Sequence, residues 1–258
     1  GAYALRMNTT GSNTTAVGME AMNQNTTASS NTAVGYASLT ANTTGANNTA
    51  VGKGAMAANT TASNNAAFGY NALTANTALG TDNAAFGYLA LDANTSGAQN
   101  TGLGRDALGA NTTGYSNVAV GTGASGSSTT GRDIVAIGHL ALMTCTTGYA
   151  NVAIGKNAIR TLTTGNENIG IGDRALYYTT TGTQNVAIGY LAGYDLTSGQ
   201  NNVLIGASAG RGTSPGGETT TSSNRVVLGN NSITNSYVKV DWTVTSDLRD
   251  KTQIEDIP

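Results

Sequence analysis

The sequence predicts an all-β chain, a parallel β-solenoid or β-roll of about thirteen coils of 17 residues each. Three observations predict it. A five-residue motif recurs at a fixed period, the segments between copies are too short for helices, and the composition is that of turns and short strands.

The motif is N-x-A-V-G. It stands as NTAVG at 31–35 and 48–52, NAAFG at 65–69 and 83–87, NTGLG at 100–104 and NVAVG at 117–121. It continues as NVAIG at 151–155, NIGIG at 168–172, NVAIG at 185–189 and NVLIG at 202–206. TTAVG (14–18), IVAIG (134–138) and RVVLG (225–229) are degenerate copies. The closing glycines Gly18, Gly35, Gly52 and Gly69 are 17 apart, the step to Gly87 is 18, and the 17-residue step then holds through Gly206. Gly1 is in phase, so the chain begins inside the array and reads as a piece of something longer.

Each period has one internal grammar. After the motif comes a variable pair and then a second short apolar piece, such as AM at 21–22, SL at 38–39 and AL at 72–73, 90–91, 107–108 and 175–176. A turn follows, N-T-T-G at 42–45 and 111–114 or TTG at 146–148, 163–165 and 180–182. Asn and Thr side chains bond local backbone, and Gly reaches positive φ without cost, which suits all three to turns. Two apolar runs and two turns predict two short strands per coil. A unit of 17 residues cannot bury a core alone, so the coils stack. At strand spacing the stack is a rod of roughly 60 Å. The leading Asn of each unit (Asn31, Asn48, Asn65, Asn83, Asn100, Asn117, Asn151, Asn168, Asn185, Asn202) is placed to form an amide ladder along it.

Strand alternation sets the two faces. The residue before each Gly is large, as in Val34, Phe68, Leu103, Ile154 and Ile205, and shares its face with Thr32, Val118, Val152, Ile169 and Val203. The opposite face carries Ala33, Ala50, Ala67, Gly102, Ala119, Ala153 and Gly170. Small residues fit a narrow interior. The large column then needs cover from outside, and symmetric self-association supplies it.

The remaining composition excludes most chemistry. One Cys (Cys145) and one His (His139) leave no disulfide framework, no usual zinc site and no Ser-His-Asp triad with a nucleophile elbow, so no metal and no cofactor are expected. Only 10% of residues are charged and the net charge is −2, which gives no basic footprint for nucleic acid. No apolar run is long enough to insert in a membrane. Thr numbers 42, Asn 29 and Gly 35, while Pro numbers 2, so the chain is neither collagen-like nor a Pro-rich linker.

Repeats of the N-x-A-V-G-x-x-A-L-x-x-N-T-T-G type resemble the β-roll heads of trimeric autotransporter adhesins and the shafts of bacteriophage tail fibres, over residues 1–210. The resemblance implies a homotrimer packed around a common axis. Residues 224–258 resemble the junction into the intramolecular chaperone of the endosialidase-type, or S74 peptidase, family, with the entry motif at Ser246-Asp247-Leu248-Arg249-Asp250-Lys251. It implies chaperone-assisted trimerisation and self-cleavage at Ser246–Asp247, with Ser246 as nucleophile or proton relay and Lys251 as base. Asp250 stands where the family usually shows Leu, and a carboxylate there would raise the Lys251 pKa.

These readings divide the chain into a β-roll shaft (1–210), an inserted loop with the last coil (211–231), a β-stranded neck (232–245) and the start of the chaperone (246–258). Pro215-Gly216-Gly217 marks the insertion, and Trp242 in the neck is expected at the trimer axis. The implied function is a structural virion fibre, an extracellular tail component that meets other tail proteins and presents a contact to a host surface receptor. Apart from self-cleavage, no enzyme activity is expected. Tyr36, Tyr70, Tyr88 and Tyr190, each just after a repeat Gly, are the candidate receptor contacts; they either stack on glycan rings or shield coil edges. A bacterial adhesin head is the alternative, and no heptads of a following stalk appear. An ice- or surface-binding solenoid is a further one, against which the Thr-Thr pairs sit beside turn glycines, as in Thr43-Thr44-Gly45.

Overall fold

The structure is a computed structural model that describes residues 1–212, 214, 217 and 219–234. Thirteen strands of three residues each, from β1 (Thr15–Val17) to β13 (Val226–Leu228), form one parallel sheet in strict chain order. Each copy of the motif, degenerate ones included, supplies one strand. Register is the repeat itself: Thr32 pairs with Thr49, Ala33 with Ala50 and Val34 with Val51. The chain is an all-β solenoid.

Length irregularities leave the sheet untouched. The extra residue of the 18-residue step is absorbed in the turn at exposed Leu79, where Asn76 reaches the carbonyl of Gly80, four residues on; elsewhere in this column Asn42 reaches Gly45, three on. Ala66 still pairs with Ala84. The longer step before β13 is absorbed between Arg211 and Thr219, and Val203 pairs with Val226 as in every other coil. The last coil is thus continuous with the shaft. Ser246, Asp247, Lys251 and Trp242, with most of the expected neck, lie outside the described residues, as do Pro215 and Gly216.

One expectation is overturned. The second apolar piece is a turn, not a strand. Leu39, Leu73, Leu91, Leu108, Leu142 and Leu176 all have φ between 49° and 55°, and the Ala or Ser just before each is as fully buried as the Leu. A strand sends neighbouring side chains to opposite faces. Burying two in succession requires the backbone to alternate between right- and left-handed conformations. Left-handed Leu costs about 1–2 kcal/mol, and burial of the side chain, worth about 1.5–3 kcal/mol, offsets it. The same residue also donates its N–H to the next coil, as Leu39 does to Ala55 O at 3.0 Å.

The interior is a set of columns along the rod axis: strand-centre Ala, turn Ala, turn Leu or Met, and Asn. The expected Asn ladder is present. Asn48 N–H donates to Asn31 Oδ1 at 2.8 Å, and Asn31 Nδ2 donates to Gly45 O at 2.8 Å. A second, buried ladder runs beside it through the N-T-T-G asparagines Asn25, Asn42, Asn59, Asn76, Asn94 and Asn111. Asn42 Nδ2 donates to Asn25 Oδ1 at 3.2 Å and to Gly45 O at 2.9 Å. The Gly45 carbonyl therefore ties the two ladders together.

Both ladders break in the same coil. Ser128 replaces Asn in the second and Ile134 in the first, leaving the Asn111 Oδ1 and Ser128 Oγ atoms buried without partners. Ser125, in the Leu column, is likewise buried with an unpaired hydroxyl. Beyond that coil the first ladder resumes at Asn151, and the second column continues as Cys145, Leu162, Thr179 and Leu196.

Candidate functional site

With the interior closed, the surface of the rod carries the functional possibilities, and three sets of exposed side chains stand out. The first is the outward face of the sheet. Ala33, Ala67 and Ala136 at strand centres are fully buried, while the residues before the glycines look outward: Val17 is 56% exposed, Leu103 48% and Phe68 37%. Phe68 and Phe86 stack with ring centroids 4.7 Å apart and planes 6° from parallel, the rise of one coil. This is the face that alternation assigned to an outside partner.

The second set is the column just after each repeat Gly. Tyr36, Tyr70, Tyr88 and Tyr190 are all exposed. The structure brings three of them together and leaves the fourth apart. Tyr70 and Tyr88 stack at 5.3 Å and 11°. The Lys53 ammonium lies 5.8 Å from the Tyr36 ring and 5.7 Å from that of Tyr70, a cation held between two aromatic rungs. Stacking covers the inner ring faces, so this column offers edges and hydroxyls to a ligand. Tyr190 has Asp173 and Ala207 as its column neighbours, and no aromatic ring.

Sequence reasoning missed the third set. Five residues after the repeat Gly, four successive coils carry Arg160, Tyr177, Tyr194 and Arg211. Tyr177 and Tyr194 stack at 5.3 Å. Arg160 lies 5.8 Å from the Tyr177 ring and donates from Nη1 to the Tyr177 hydroxyl at 2.8 Å. Arg211 lies 5.0 Å from the Tyr194 ring, and its Nε is 3.0 Å from Asp195 Oδ2. Tyr178, 45% exposed, meets both stacked rings edge to face, at 4.8 Å and 82° to Tyr177 and 4.9 Å and 73° to Tyr194. Its hydrogen bond with Tyr194, more than burial, raises the Tyr194 pKa above the ordinary phenol value. The available signal was the spacing: Arg160, Tyr177, Tyr194 and Arg211 are 17 apart, but they vary in type and so fall outside the repeating motif.

Other chemistry is sparse. Cys145 is buried, and desolvation pushes its thiol from 9.0 up to about 11, so it stays a neutral thiol. Burial raises the Asp92 carboxyl, and the nearby Asp106 charge adds to it. No three His, Cys, Asp or Glu side chains among the described residues converge as a metal site. The threonine file running through Thr26, Thr43, Thr95, Thr112 and Thr129 turns its hydroxyls along the rod, each donating to the carbonyl of the next coil, as Thr43 does to Thr60 at 3.1 Å. The following Thr, such as Thr44 and Thr113, is the exposed one.

Comparison with protein-family models, curated proteins and solved structures finds no match to this chain. Its function is therefore argued from the rod and its surface.

Proposed function

We propose that this chain is the shaft of a homotrimeric virion fibre, a stiff rod that carries a host-receptor contact away from the particle. The observation that carries the reading is the file of Val, Ile, Leu and Phe on the outer sheet face, partly exposed in the single chain from Val17 to Leu228. An apolar column running the length of a rod is far larger than a soluble monomer tolerates. Three copies around one axis cover all three columns at once and leave no edge for further addition. The nearly uncharged, hydrogen-bonded interior suits a spacer under load. The resemblance of residues 246–251 to the S74-type junction adds release of a C-terminal chaperone by cleavage at Ser246–Asp247, with Lys251 as the base.

Light scattering coupled to size exclusion tests the assembly. A mass near three times 25.8 kDa is expected. A stable monomer overturns the proposal. Immunogold labelling of virions along their fibres tests the setting, and absence of label overturns it. Mass spectrometry of the chain from its native host, beside Ser246→Ala, tests processing. A wild-type terminus at Ser246 that the variant lacks is expected, and identical masses remove the cleavage step.

A further inference from the structure

We propose that the Arg160–Tyr177–Tyr178–Tyr194–Arg211 cluster is a binding site for an acidic oligosaccharide lying along the rod. The proposal adds a ligand class and a position to the receptor contact of the fibre reading, and rests on that reading for its biological setting alone.

The geometry points to a platform. Tyr177 and Tyr194 belong to successive coils and stack on each other, so their planes lie across the rod axis. Tyr178 stands at 82° and 73° to them, and its plane therefore runs along the axis. Its ring centroid lies 4.8 Å from that of Tyr177 and 4.9 Å from that of Tyr194. Tyr178 is 45% exposed, so the cluster presents aromatic surface to solvent. Exposed aromatic surface running along a long axis suits the apolar face of a pyranose ring, and the 5.3 Å rung spacing is close to the length of one sugar unit.

Charge selects among saccharides. Arg160 and Arg211 bracket the platform, and Arg174 lies close enough to act on Tyr194. Asp195 pairs with Arg211 and Asp173 lies 3.9 Å from Arg174 Nε, so three arginines face two carboxylates and one positive charge is left over. Arg160 makes no ion pair among the described residues. Its one shown hydrogen bond, to Tyr177, leaves other guanidinium donors for a sugar carboxylate or sulfate. On a chain with only 10% charged residues, this combination of ring face and cations is local. It is carried by the turn after the strand and not by the sheet face that the trimer would bury.

Calorimetric titration of the intact rod distinguishes the cases with three probes, a hyaluronan hexasaccharide (carboxylated), a heparin-derived hexasaccharide (sulfated) and maltohexaose (neutral), against a buffer blank. Saturable binding of one or both acidic probes is expected, weakening with added salt, with maltohexaose at least about tenfold weaker. Tyr178→Ala and Arg160→Gln should each weaken the acidic probe about tenfold, while Tyr115→Ala, an exposed Tyr elsewhere, should not. Circular dichroism and solution mass establish that each variant is folded and assembled as the wild type. No binding of either acidic probe, equal binding of maltohexaose, or undiminished binding by folded Tyr178→Ala overturns the site. A monomeric rod that still binds overturns the fibre reading and leaves the site standing.

Discussion

Asn59 is the clearest place to measure what holds the rod together. Its Nδ2 donates to Asn42 Oδ1 at 2.8 Å and to Ala62 O at 3.1 Å, and its Oδ1 accepts from Asn76 Nδ2 at 3.0 Å. Asn59→Ala removes three buried hydrogen bonds at about 1 kcal/mol each and strands Asn42 Oδ1, worth about 1–3 kcal/mol more. The expected cost is about 4–6 kcal/mol. Asn111→Ala, at the end of the same ladder, is the matched control. It removes two bonds, to Asn94 Oδ1 and Gly114 O. It strands Asn94 Oδ1 but abolishes the already unpaired Asn111 Oδ1, so the number of buried orphans does not change. Its cost should be about 2 kcal/mol, and the volume lost is the same in both variants. Guanidinium denaturation followed by circular dichroism, at one fixed protein concentration, reads the difference. Because coils couple mainly to their neighbours, hydrogen exchange at the Thr43 and Ala58 amides, which donate to Thr60 O and Thr74 O, should localise the loss. If the two variants fall within about 0.5 kcal/mol, the ladder is not a chain of partnered amides and the reasoning fails.

Three further outcomes are expected. Gly155 has φ 128°, and a Cβ there would meet the Gly172 carbonyl oxygen at 2.6 Å, so Gly155→Ala should cost about 3–5 kcal/mol in the same denaturation experiment. Gly109→Ala, where φ is not positive and the nearest atom is 3.3 Å away, should be near neutral. Ser128→Asn should extend the second ladder to Asn111 Oδ1 and Gly131 O, reducing two buried orphans to one and raising stability by about 1 kcal/mol. Cys145 ionises near 9.0 when unfolded but only at about 11 when folded, so between those values the folded state holds the extra proton and stability falls as pH rises, by about 1.4 kcal/mol per pH unit at most. Cys145→Ser should flatten that slope, and native Cys145 should resist iodoacetamide at pH 8.

Much of the rod was legible in the sequence. The motif placed every strand, because a three-residue strand leaves one central side chain facing in, and Ala or Gly at that position repeats almost without exception. The first Asn ladder followed from identical residues at identical phase. The Ala-Leu piece misled because two adjacent apolar residues were read as a strand, although strand geometry cannot bury both. The second Asn ladder was hidden in residues that read as ordinary turn formers: Asn42 sits in a turn, yet its side chain is fully buried.

What the sequence determined by itself was the period, the place of the strand within each motif and which strand face is small enough to be internal, since these depend on spacing and side-chain size. What only the tertiary structure decided was which variable residues meet. Tyr36, Tyr70 and Tyr88 share a column with Lys53, whereas Tyr177, Tyr178 and Tyr194 form a ring cluster across two coils. The physical reason is that stacking sets residues of successive coils about 5 Å apart whatever their type. Orientation, however, depends on the left-handed turns that follow each strand, and those turns arise from burial and from hydrogen bonds between coils.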